Sequence, residues 1–185
     1  VQLCPFLGYA SALCLAVMTK RPIITVNDSM QTGYSYALTA LEGKNFDPGF
    51  TPHFTPREML EMGVFEGKYC NDCRDDLPAS WFNKARISAK PDVSCNYFGV
   101  KSRQPLSVWR EKGWIYGPDV RGWFQWYCRY YMGRRMADDA RQIGRWRAYR
   151  RHLVQVERNC LPGDMTCRRR QRQSLLHWAY DARRI

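Results

Sequence analysis

Apolar residues recur at helical spacing through the second half of this chain and only briefly in the first. Pro22-Ile23-Ile24-Thr25-Val26 reads as a strand, because β-branched residues suit a pleated surface. Residues 42–56 (EGKNFDPGFTPHFTP) show no clean period, and their Pro and Gly content predicts an extended loop. At Thr55-Pro56-Arg57-Glu58 the chain has the form of a capping box, which predicts a short helix carrying Met59, Leu60 and Met62 and ending at Gly63. A turn-rich connector ends on Trp81-Phe82. Residues 83–104 then read as an exposed linker in which Asn96-Tyr97-Phe98-Gly99 packs back.

From Pro105 onward the pattern is helical. Leu106, Trp109 and Arg110 open a short helix that Gly113 ends, and Gly117-Pro118-Asp119 makes a turn. Asp119 is a good N-cap for a helix running to Met132, before Gly133. Asp138 and Asp139 start another helix, with an apolar stripe of Ile143, Trp146, Tyr149, Leu153 and Val156 at spacings of three and four. Asn159 to Asp164 breaks it. A last helix covers residues 168–184 and buries Leu175, Leu176, Trp178, Ala179 and Ala182.

The stretch 121–135, RGWFQWYCRYYMGRR, carries aromatic residues around too much of a helical circumference for a surface helix. It predicts the central buried helix, with Arg121 at one end and Arg134 and Arg135 at the other reaching outward. The expected fold is mainly α: a compact helical domain over residues 18–185, built on this aromatic-rich central helix, with a small extended or β portion at its N-terminal side.

The segments LSVWREKGWI, RGWFQWYCRYYMGRR and ARQIGRWRAYRRH, with RQRQSLLHWAY and EMGVFEGKY, carry a family resemblance. The chain resembles a family of uncharacterised proteins of bacteria and fungi. No activity is attached to that family, so the resemblance implies relatedness and supplies no mechanism.

The first seventeen residues stand apart. They carry no charge, and Lys20-Arg21 follow rather than precede them, which is the reverse of a secretory signal. Gln2, Pro5, Gly8 and Ser11 interrupt the run too often for a good membrane span. An upstream extension ahead of a natural start at Met18 is the favoured reading. A membrane-anchoring segment and a packed N-terminal element are the alternatives, and a membrane partner is not expected.

Charge divides the chain. Residues 1–100 have a net charge of −1 and residues 101–185 a net charge of +13, with eighteen Arg and two Lys in the second part. Arg binds phosphate bidentately and stacks on rings, so a basic half points to an anionic partner. A composition set by a GC-rich genome is the plain alternative. The residues expected to meet that partner are Arg134 and Arg135, then Arg141, Arg145, Arg147, Arg150 and Arg151 on one helix, then Arg168, Arg169 and Arg172 at the next. The leading expectation is a nucleic-acid-associated protein, RNA or DNA, that touches phosphates through this face. An acidic protein partner is a further possibility.

Other chemistry is thinner. Glu58, Glu61, Glu66, Asp72, Asp75 and Asp76 concentrate negative charge, and such carboxylates can hold Mg²⁺ for phosphoryl chemistry. That makes a metal-dependent enzyme acting on nucleic acid or a phosphorylated substrate the alternative function. Cys70-Asn71-Asp72-Cys73 is a lone CxxC; Cys160, Cys167 or His152 would have to complete a zinc site. The eight cysteines are expected to be mostly reduced thiols in a cytoplasmic protein, with no cofactor and no metal. His53, His152 and His177 form no visible catalytic arrangement, and no phosphate-cradling glycine motif is present.

Overall fold

The computed structural model describes residues 21–185, so every reading of residues 1–17, and Cys4 and Cys14 with it, lies outside the described residues. Among the described residues the regular elements are a two-stranded hairpin and five α-helices. Strand β1 (Ile23–Asn27) pairs antiparallel with β2 (Thr32–Ala37), a strand that the sequence pattern did not reveal. Alternation explains the hairpin. Val26 and Tyr36 are buried on one face, while Thr25 and Ser35 meet through their hydroxyls on the other.

Helix α1 (Pro56–Met62) has both halves of the predicted capping box. Glu58 donates its amide to the Thr55 hydroxyl at 3.2 Å, and the Glu58 carboxylate accepts from the Thr55 amide at 2.8 Å. Helix α2 (Leu106–Glu111) matches its expected place. Helix α3 (Trp123–Met132) is central and, apart from Tyr131, buried along its length. It begins later than predicted: Gly122 holds the cap position, and Asp119 lies buried in an ion-pair cluster instead. Helix α4 (Asp139–Asn159) runs as expected. Helix α5 (Arg169–Leu176) is shorter than predicted, because Ala179 turns into a left-handed conformation at φ 58° and the chain end folds back.

The core is one cluster of buried side chains extending from Val26 to Ala182. Its centre is aromatic. Phe50 comes from the Pro- and Gly-rich loop that showed no periodicity, and its ring meets Trp126, Tyr127, Tyr130 and Trp146 edge-on at 5.0–5.6 Å. Edge-to-face packing suits the ring quadrupoles and adds to area burial. The linker packs back at Asn96 and Phe98, as expected: both are buried, and the Phe98 amide donates to the Gln173 side chain at 2.9 Å. Helix α4 packs on α3 and α5. No helix among the described residues is long and apolar enough to cross a membrane.

The cysteines depart from the expectation of unpaired thiols at one place. Cys160 and Cys167 are joined by a disulfide across the α4–α5 turn, which removes both as zinc ligands. Cys70, Cys73, Cys95 and Cys128 are free, and all but Cys95 are buried.

Candidate functional site: an aromatic cleft with arginines along it

The helical period brings Arg145, Ala148, Tyr149 and His152 to one face of α4, and Ser174, His177 and Trp178 to one side of the α5 end. Together they wall a cavity of about 520 Å³. The opposite wall is the segment of α2 and its following loop, with Trp109, Trp114 and Ile115. Phe65, Trp123 and Phe124 also line it. The volume falls in the range of small-ligand sites.

Trp178 is held between Trp123 and Tyr149, its ring stacked at 4.7 Å on the first and 4.6 Å on the second. Arg145 lies over the same indole at 5.5 Å and donates to the Trp114 carbonyl at 3.1 Å, so one guanidinium ties the two walls. No carboxylate pairs with Arg145 among the described residues. Burial, and then Arg141, hold its pKa below the usual arginine value. Arg151 lines the cleft and also has no carboxylate partner among the described residues. Arg103 differs: it pairs at 3.1 Å with the buried Glu66.

The predicted arginines separate into three groups. Arg145 and Arg151 reach the cleft, while Arg150 lies exposed beside them on α4. Arg141 and Arg147 are exposed but paired, with Asp138 and Asp47 respectively, and Arg141 also stacks on Tyr116. Arg135 covers the Tyr130 ring at 3.9 Å and donates to the carbonyls of Lys44 and Asn45. Arg168 is exposed, and Arg169 donates to the Phe98 carbonyl.

Arg134 and Arg172 overturn the expectation that they face an anionic partner. Arg134, 2% exposed, places two nitrogens on Asp119. Arg172, fully buried, donates to the carbonyls of Cys167, Ala182, Asp164 and Ile185 and so holds the chain end to α5. Arg121, expected to reach outward, is itself buried and pairs with Asp28 and with the exposed Asp72. The reason is common to all three: desolvating a guanidinium is prohibitive unless carboxylates or carbonyls surround it, and the fold supplies them.

The carboxylates expected to share a metal are dispersed. Glu58 caps α1, Glu61 pairs with Arg57, Glu66 with Arg103, Asp72 with Arg121, and Asp76 with Arg129. Among the described residues no three His, Cys, Asp or Glu side chains converge where an ion could sit.

No family model, curated protein or solved structure matches this chain. Its functional reading therefore rests on the geometry. Sequence patterning did not single out Trp109, Trp114, Tyr149, His177 and Trp178 as site residues: it assigned Tyr149 and Trp178 to apolar stripes and found no catalytic arrangement for His177. One signal was present: Arg145, Ala148, Tyr149 and His152 repeat at i, i+3, i+4 and i+7, a second stripe beside the apolar one.

Proposed function

We propose that this protein binds single-stranded nucleic acid, taking a nucleotide into the cleft between α4–α5 and the α2 segment. The observation that carries the reading is an aromatic-walled cavity along which Arg145 and Arg151 lie without carboxylate partners among the described residues. Proteins that grip single strands combine ring surfaces for bases with cationic groups for phosphates. A cleft of one-nucleotide size fits an unstacked base better than a duplex, whose bases are already stacked. Arg150 and the exposed Arg168, Arg169 and Arg170 extend positive charge from the cleft along the outer surface. A cytoplasmic setting belongs to this proposal, and the Cys160–Cys167 disulfide is the observation that weighs against it.

Titration of tryptophan fluorescence with ten-nucleotide DNA and RNA homopolymers tests the reading. Expected are quenching, affinity falling steeply with salt, and weaker binding of a duplex of equal length. Absence of binding at low salt overturns it. Equal binding of polyglutamate would instead favour an acidic protein partner.

A further inference from the structure

His177 is only 4% exposed, lines the cleft and is locked in one tautomer by its neighbours. The Phe65 amide donates to its Nε2 at 3.1 Å, and Gln173 Nε2 approaches the same atom at 3.1 Å. The orientation of Gln173 is itself determined, since its Oε1 accepts from the Phe98 amide and its Nε2 also donates to the Gly63 carbonyl at 3.1 Å. Two N–H groups facing Nε2 require it to be an acceptor, so the ring proton resides on Nδ1. No described residue accepts from Nδ1.

The backbone supports this arrangement under strain. Phe65 and Glu66 both adopt left-handed conformations, at φ 54° and 57°, which non-glycine residues visit rarely. That turn brings the Phe65 amide onto His177 and stacks the two rings at 4.3 Å. Beside it Arg103, which also lines the cleft, has a buried Nε–H with no acceptor among the described residues, although its Nη2 is engaged by Glu66. The cleft residue His177 thus holds an unpartnered Nδ1–H within aromatic walls, and the unpartnered Arg103 Nε–H beside it is buried. A base amino group facing donors gains nothing; a carbonyl oxygen gains a hydrogen bond.

We infer that the cleft selects nucleotides whose base carries a keto oxygen at pyrimidine position 4 or purine position 6, as in uracil, thymine and guanine, with His177 Nδ1–H as the donor that reads it. This rests on the cleft being a nucleotide site. Thymine and cytosine isolate the effect, because both are pyrimidines and differ at position 4 as oxygen acceptor against amino donor.

The test compares binding of dT10, dC10, rU10 and rC10 at one salt concentration. Expected is about tenfold tighter binding of dT10 than dC10 and of rU10 than rC10, the effect of one neutral hydrogen bond. His177→Met removes the Nδ1 donor and puts no side-chain N–H in its place. In that variant the ratio of dT10 to dC10 affinity should fall toward one, whatever its overall affinity. Equal or reversed affinities in the natural protein overturn the inference and leave the nucleic-acid reading standing. An unchanged preference in His177→Met overturns the role of His177, and failure of all four strands to bind the natural protein overturns both readings.

Discussion

Arg134 grips Asp119 with two nitrogens, Nη1 to Oδ1 at 2.9 Å and Nη2 to Oδ2 at 2.6 Å, and both residues are buried. Arg129 completes the cluster, sharing Asp119 and taking Asp76 with two more hydrogen bonds. Two cations and two anions are buried together, so the group is neutral as a set and intolerant of losing one member. Asp119→Ala strands the Arg134 guanidinium, leaves Arg129 with Asp76 alone, and should cost about 3–5 kcal/mol, measured by urea denaturation. Exposed Asp47, paired with Arg147 at the surface, should cost less than about 1 kcal/mol on the same change.

Gly133 ends α3 at φ 114°, and its carbonyl accepts from the amides of Thr39 and Ala40. A Cβ there would lie 2.0 Å from the Ala40 carbonyl oxygen, a backbone atom that cannot swing away. Gly133→Ala should lower stability by more than the roughly 1 kcal/mol of an ordinary left-handed glycine replacement. A thermal melt showing an unchanged midpoint would contradict this.

Acid should destabilise the fold before its carboxylates titrate. Burial, then the Arg103 charge, hold His177 at a pKa of about 3 against an ordinary 6.5. With the folded value below the unfolded one, the unfolded chain binds the extra proton between those limits. Stability is then complete above about pH 6.5 and falls toward pH 3 by about 1.4 kcal/mol per pH unit. Burial also lowers the pKa values of His53 and His152, which act in the same direction. His177→Gln should therefore flatten the slope between pH 4 and 6 without abolishing it, as read from denaturant midpoints.

Reduction of Cys160–Cys167 should loosen the α4–α5 turn. The loop it closes is short, so the loss expected from chain entropy is about 2.5 kcal/mol. Denaturation midpoints with and without a phosphine reductant measure it, and Cys160→Ser with Cys167→Ser should be insensitive to the reductant.

Two classes of arginine should separate in a binding assay. Replacing Arg145 and Arg151 with alanine should weaken single-strand binding and lower the salt slope by about 0.7 for each phosphate no longer neutralised. Arg172→Ala removes donors from two carbonyls of the α4–α5 turn, Asp164 and Cys167, and two at the chain end, Ala182 and Ile185, and should lower stability first.

Helices α1, α2 and α4 were legible because caps, glycine stops and a 3.6-residue period act within a few neighbours of each residue. The buried nature of α3 was legible too, since its rings leave no polar face. The fate of the arginines was not. Arg129 meets Asp76 from 53 residues away, Arg134 meets Asp119 from 15, and nothing near either arginine in the chain announces those partners. Phe50 likewise gave no periodic signal, because a loop residue reaches the core by where the loop is tied down. The cleft draws its walls from α2, α3, α4, α5 and the loops around Phe65, Arg103 and Trp114, and the tautomer of His177 depends on an amide 112 residues distant. Local interactions act through the neighbouring chain and can be read along it. Burial of charge and the shape of a cavity depend on which distant groups the folded chain brings together, and only the tertiary structure decides that.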